Sequence, residues 1–263
     1  MGIVTVTLTT DFGLRDAYVG AVKGVILGIS PEARLVDISH EVPPHDVEAG
    51  AFLLAGATPY FGAGTVHLAV VDPGVGSARR GLIVETSGHH LVGPDNGIFS
   101  PVFAAEEIKK IGEIQNRDLA LPNVSNTFHG RDLFAPAAAH LCNGVHVDAF
   151  GPEITDPKTL DLWETKQSEA RLTGKVVSVD TFGNGITNLS RREIEVWAKG
   201  RPFRVEIERW TFDSISRTYA DEAVGEALVL YGSRDTLEVS ICSGSAEAVM
   251  ELSCGTEVNL VKA

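Results

Sequence analysis

Residues 3–8, Ile-Val-Thr-Val-Thr-Leu, form a β-branched, apolar run that breaks at Thr10-Asp11-Phe12-Gly13, the pattern of a buried strand ending in a loop. Val19, Val22, Ile26 and Ile29 then recur at helical spacing, with Asp16 placed to cap the helix and Ser30-Pro31 to stop it. A short apolar run at 35–38, a helix over 46–57 and a second buried strand over 66–71 continue the alternation, and that strand stops at Asp72-Pro73-Gly74. Strands at 82–85 and 90–92 follow, then an Ala-rich helix over 133–141 closed by Asn143-Gly144. This grammar predicts an α/β domain whose largely parallel sheet is covered by helices.

Beyond about Gly151 the texture changes. A polar, proline-bearing stretch leads into short strand-like runs at 172–179, 203–208, 227–230, 236–241, 249–252 and 258–261, separated by Gly, Asn and Ser clusters. They predict a small antiparallel β-barrel or sandwich. The expected division is an α/β catalytic domain over 1–160, a linker over 161–167 and a β-barrel domain over 168–263.

Composition narrows the function classes. An apolar content of 44% with 22% charged residues leaves ample core and no case for disorder. The net charge of -13 repels phosphate backbones and anionic lipid, so neither nucleic acid nor membrane is an expected partner, whereas a cationic small ligand is favoured. Cys142, Cys242 and Cys254 are odd in number and never form a CxxC pair, which points to reduced thiols. No apolar run reaches the roughly 20 residues of a membrane helix, and no signal layout opens the chain. Gly2 is followed by Val6 where a myristoylation motif needs Ser or Thr, so a cytoplasmic protein is expected.

Ligands of open α/β sheets collect at the carboxyl ends of strands, where Asp11 and Asp72 stand. Taken singly, each reads equally well as turn chemistry. Arg79 follows Gly74-Val75-Gly76, a loop able to lay the guanidinium beside Asp72, although a solvated Arg is the commoner outcome. Those glycines make no dinucleotide fingerprint, since Arg79 occupies the third glycine's place. His129, between Phe128 and Gly130 at a helix entrance, is a catalytic candidate. Asp11, Asp72, His129 and Asp132 are the residues a metal would gather, but no HxH or HxxxH spacing supports one, and neither metal nor cofactor is expected. In the second half, Asp180 to Asn188 clusters polar side chains on a Gly-rich turn, and Tyr231-Gly232-Ser233-Arg234-Asp235 offers a hydroxyl with a guanidinium. The first is the chemistry of an ordinary Asx-rich turn, while the second suits a carboxylate ligand and equally an ordinary hairpin with a surface ion pair.

Together, Thr-Thr-Asp-Phe-Gly at 9–13 with Asp16 and Tyr18, Val-Val-Asp-Pro-Gly-Val-Gly at 70–76 with Arg79, Gly-Pro-Asp-Asn-Gly at 93–97, Phe-His-Gly-Arg-Asp at 128–132, Asp-Thr-Phe-Gly-Asn at 180–184 and Tyr-Gly-Ser-Arg at 231–234 resemble the S-adenosylmethionine hydroxide adenosyltransferases, relatives of fluorinase and chlorinase. The resemblance implies a homotrimer that binds S-adenosylmethionine between the N-terminal domain of one subunit and the C-terminal domain of its neighbour. It implies a water-handling triad of Asp72, Arg79 and His129, with Asp11 on the ribose hydroxyls. It also implies Asp16, Asp180, Ser233 and Arg234 on the methionine end, Asn184 on the adenine edge and Tyr219 stacked on the base.

The halogenating relatives carry an aromatic where Asp72 stands and a small hydroxyl residue nearby, matched here by Val75. A carboxylate repels halide and accepts a hydrogen bond from water, so hydrolysis to adenosine and methionine is expected. An Arg79 partner makes Asp72 an aligner of water more than a base, and both Asp72 and His129 are expected to accept hydrogen bonds from that water. The alternatives are halide adenosyl transfer and a binding module that holds S-adenosylmethionine or adenosine without turnover.

Overall fold

A computed structural model of the chain describes residues 4–262, so Met1, Gly2, Ala263 and the expected strand start at Ile3 lie outside the described residues. The chain divides into two compact units, one running through Leu160 and one from Asp161 onward.

In the first unit, β1 (Thr5–Thr10), β2 (Arg34–Ser39), β3 (Val66–Val70), β4 (Gly81–Thr86), β5 (His90–Pro94) and β6 (Ile108–Glu113) form one sheet in the order β2-β1-β3-β5-β4-β6. The pairings among β2, β1, β3 and β5 are parallel, and β4 runs antiparallel to both its neighbours. The register from Val6↔Val66 to Thr10↔Val70 makes β1 and β3 end level, so the loops carrying Asp11 and Asp72 leave the sheet side by side. Helices α1 (Tyr18–Ile29), α2 (Val47–Ala57), α3 (Ser100–Ala105) and α4 (Ala135–Cys142) cover the sheet. The small side chains of Ala135, Ala137, Ala138 and Ala139 let α4 close on α1 and on the buried Val6, Leu8, Leu68 and Val70.

Asp16 does not cap α1. The helix starts at Tyr18 behind an Ala17 N-cap with no side-chain bond, which leaves Asp16 one position too early and exposed. Asp46 shows the geometry that works, its carboxylate accepting from Ala49 N at 2.9 Å at the head of α2. The Ala-rich helix is preceded by a π-helical turn, Gly130–Phe134, whose N-cap is His129.

The second unit is antiparallel. β7 (Lys166–Gln167), β8 (Arg171–Val179), β9 (Gly185–Ser190), β10 (Phe203–Ile207), β11 (Trp210–Phe212), β12 (Ala227–Tyr231), β13 (Thr236–Ile241) and β14 (Glu257–Lys262) run in the order β11-β10-β14-β8-β9-β13-β12, with β7 paired to β8. The long β8 pairs with β14 through its first half and with β9 through its second, which curls the sheet into a nearly closed barrel. Gly174 sits at that changeover, where a Cβ would meet Leu189 Cγ and Asn188 Oδ1, each at 2.5 Å. Leu172, Leu189, Trp197, Val239 and Leu260 fill the interior.

Helix α5 (Arg191–Ala198) starts at Ser190, whose side chain accepts from Glu193 N. The strand expected at 249–252 is instead the end of helix α6 (Ala246–Met250). Ser245 caps it by accepting from Ala248 N, Ala246 and Met250 are buried one turn apart, and Glu251 at φ 57° ends it. Among the described residues no helix is long and apolar enough to cross a membrane.

Candidate active site

Asp72 follows directly on the buried Val71, and the chain then folds back through successive turns: Val75 N donates to Asp72 O, and Ser77 N and Oγ both donate to Gly74 O. Gly76 at φ +75° is required, since a Cβ there would meet Asn126 O at 2.3 Å. The return lays Arg79 against Asp72. Nε donates to Oδ1 at 2.9 Å and to Oδ2 at 3.0 Å, and Nη2 donates to Oδ2. Both side chains are only 6% exposed, and the Phe134 ring lies 5.0 Å from the guanidinium carbon. A forked, charge-assisted contact of this kind fixes the carboxylate's orientation.

Arg79 Nη2 also reaches His129 Nδ1 at 2.9 Å. A guanidinium only donates, so Nδ1 accepts, and the neutral ring carries its proton on Nε2. His129 thus presents a donor to the cleft in place of the expected acceptor. Burial and then the Arg79 charge hold His129 below its ordinary value of 6.5. It stays neutral as pH falls through 6.5, and only at lower pH does protonation put hydrogen on Nδ1 and break the Arg79 bond. The acid limb of kcat/KM is therefore expected below pH 6.5, with activity lost as pH drops through it. His129→Asn, whose amide oxygen replaces Nδ1 as acceptor without titrating, is expected to lack that limb in its residual activity. A limb above 6.5, or one unchanged in His129→Asn, would remove His129 from this role.

Asp72 and His129 line a cleft of about 540 Å³ together with Asp11, Phe12, Tyr18, His45, Val75 and Phe128, while Arg79 bridges them from behind the lining. Asp11 Oδ2 accepts from His45 N at 2.9 Å. The Asp11 loop is held from beneath by buried His40, whose Nδ1 meets Thr10 Oγ1 at 2.8 Å and whose carbonyl accepts from Gly13 N. Phe12, Tyr18 and Phe128 pack at tilted and edge-on angles with centroids 5.0 to 6.1 Å apart, forming an aromatic wall that suits a cation. Asp16 is not among the residues lining this cleft. Asp132 is fully buried and accepts from Arg131 Nε and Ser125 N, so it staples the loop before His129. Among the described residues no group of three His, Cys, Asp or Glu is placed to hold a metal ion.

A second cavity, about 760 Å³, lies in the second unit and is lined by Asp180, Asn184, Tyr219, Ser233 and Arg234. Asp180 Oδ1 accepts from Phe182 N and Asn184 N, each at 2.9 Å, and Oδ2 accepts from Asn184 Nδ2 at 3.0 Å. With its amide nitrogen on Asp180, Asn184 keeps Oδ1 as the acceptor for a ligand donor such as an exocyclic amine. Gly183, at φ +81°, leaves no room for a Cβ, which would stand 2.0 Å from Ser245 Oγ. Sequence reasoning missed Glu238, a buried carboxylate in this cavity that accepts from the Tyr219 hydroxyl. Burial and that carboxylate push the Tyr219 phenol above its ordinary range. The overlooked signal was a charged residue midway along the otherwise ordinary strand Thr236–Ile241.

Family models described as the SAM hydroxide adenosyltransferase N-terminal and C-terminal domains match residues 6–151 and 174–259. A protein of Salinispora tropica named (R)-S-adenosyl-L-methionine hydrolase is 38% identical over 259 residues, covering 97% of each chain. A fluorinase of an Actinoplanes species is 24% identical over 290 residues, covering 98% of this chain and 97% of its own. The crystal structure of an uncharacterized conserved protein from Thermotoga maritima superposes with a TM-score of 0.90 at 35% identity, over 98% of this chain and all of that one.

Proposed function

Since the chain belongs to the SAM hydroxide adenosyltransferase family, we propose that it is a cytoplasmic enzyme hydrolysing S-adenosyl-L-methionine to adenosine and L-methionine. The observation that carries the reading is the unbroken chain of hydrogen bonds from Asp72 through Arg79 to His129 at the end of β3. Asp72 accepts a hydrogen bond from the attacking water and His129 Nε2 donates one to it, which leaves a lone pair aimed at C5′. The water oxygen bonds to C5′, the C5′–S bond breaks, its electron pair neutralises the sulfonium to give methionine, and the surplus proton passes along the hydrogen bond to Asp72 and from there to solvent as adenosine leaves. A sulfonium is already a good leaving group, so positioning and exclusion of bulk water are the main tasks.

In this reading Asp11 grips the ribose hydroxyls. Asp16, Asp180, Ser233 and Arg234 hold the methionine end, Asn184 reads the adenine edge, and Tyr219 stacks on the base. The two sets of residues come from neighbouring subunits of a homotrimer. The Asp72 carboxylate disfavours a halide nucleophile by charge repulsion.

Incubating the protein with S-adenosylmethionine, with and without fluoride or chloride, and separating products by chromatography tests this directly. Equal adenosine and methionine, indifferent to halide, is the expected result. A 5′-halogenated nucleoside would make it a halide adenosyltransferase, and bound but uncleaved S-adenosylmethionine would make it a binding module.

A further inference from the structure

The segment Gly93-Pro94-Asp95-Asn96-Gly97 stands outside the cleft lining, yet it touches both ends of the loop that carries Asp72 and Arg79. Asn96 Nδ2 donates to the carbonyl of Val71, the residue before Asp72, at 2.7 Å, while Asn96 Oδ1 accepts from Ile98 N. At the other end, Asp95 N donates to Arg80 O at 2.9 Å, and Arg80 Nε donates to Asp95 Oδ2 at 2.8 Å. Asp95 is 2% exposed, and its other oxygen accepts from Lys158 N. Gly93 completes the contact by lying against β3, where a Cβ would stand 2.2 Å from Ala69 O.

We infer that Asp95 and Asn96 are positioning residues that clamp the two ends of the 72–79 loop and so set the Asp72–Arg79 geometry. The inference rests on the reading of Asp72 and Arg79 given above and adds residues to it. The turns inside the loop bring Arg79 back towards Asp72, and the fixed separation of Val71 and Arg80 sets how closely the two side chains meet. Val71 directly follows β3 and is fully buried, and its carbonyl takes the Asn96 amide. Removing that tether lets the carboxylate drift while the substrate-gripping residues stay in place. A displacement of about 1 Å at a reacting group costs on the order of 100-fold in rate.

Asn96→Ser keeps a hydroxyl to accept from Ile98 N but is too short to reach Val71 O. Asp95→Asn keeps shape while weakening the charged grip on Arg80. Each full-length variant is expected to lose about 10- to 100-fold in kcat for S-adenosylmethionine cleavage, with KM and the adenosine dissociation constant moving less than about threefold. In an Asp72→Ala background, Asn96→Ser is expected to cost less than about twofold more, because the group it positions is gone.

An unchanged kcat in both variants overturns the clamp, as does a loss of the same size with and without Asp72. Should Asn96→Ser fold poorly by thermal melting, Asp95→Asn in the same cycle decides. If Asp72→Ala alone cleaves at the parent rate, the failure belongs to the reading of Asp72 and not to the clamp.

Discussion

Asp72→Ala is expected to lower kcat by about 100- to 1,000-fold while shifting the affinity for S-adenosylmethionine by only a few-fold. In the proposed mechanism the carboxylate is the group that accepts from the attacking water, and its two oxygens are oriented by three donor contacts from one guanidinium. An alanine keeps the cleft and its aromatic wall but leaves nothing to accept from the attacking water. Asp72→Asn is the sharper control: it preserves volume, removes the negative charge and turns half of the group into a donor facing Arg79. Single-turnover cleavage measured beside equilibrium binding separates the two effects. If either variant cleaves at the parental rate while still binding substrate, Asp72 does not direct water.

Arg79→Met is expected to damage both fold and chemistry, and the two can be separated. Its guanidinium joins Asp72 to His129 and covers Phe134, so the substitution leaves a nearly buried carboxylate without its cation. Breaking one side of such a pair costs about 3 to 5 kcal/mol, a fall in thermal midpoint of roughly 6 to 20 °C for a chain of about this length. Replacing both partners with apolar residues is often neutral, so Asp72→Leu with Arg79→Met is expected to recover most of the midpoint. It should recover none of the cleavage. Calorimetry and product chromatography on the single and double variants check this, and a double variant as unstable as Arg79→Met would mean that the pair is not the source of the loss.

The strand ends that carry Asp11 and Asp72 were legible because buried β-branched runs announce themselves and stop abruptly. The level register of β1 and β3, which sets the two carboxylates side by side, is written in no local pattern. Nor is the bond from Arg79 to His129, fifty positions apart, which only the ordered set of motifs brought together. Strand β9 escaped notice because Thr187 and Asn188 are buried yet polar, and Asn188 spends its amide on the carbonyls of Leu162 and Glu164, so no apolar alternation marks it. The run at 249–252 was ambiguous by length, and Ser245 with Glu247 was the capping signal that decides for helix. Asn96 and Glu238 act through a carbonyl and a phenol, partners that leave no periodic trace in the chain.

The Asp180–Asn184 loop has a thermodynamic corollary. Its carboxylate already accepts three bonds from the loop's own amides, and Gly183 is wedged against Ser245, so the segment has few conformations left to surrender when a ligand arrives. The entropy of ordering it was given up during folding, at a time when the whole barrel could offset it. For a ligand at this cavity, affinity is expected to follow how well its donors match Asn184 and its neighbours, and association is expected to lack a slow loop-closing phase.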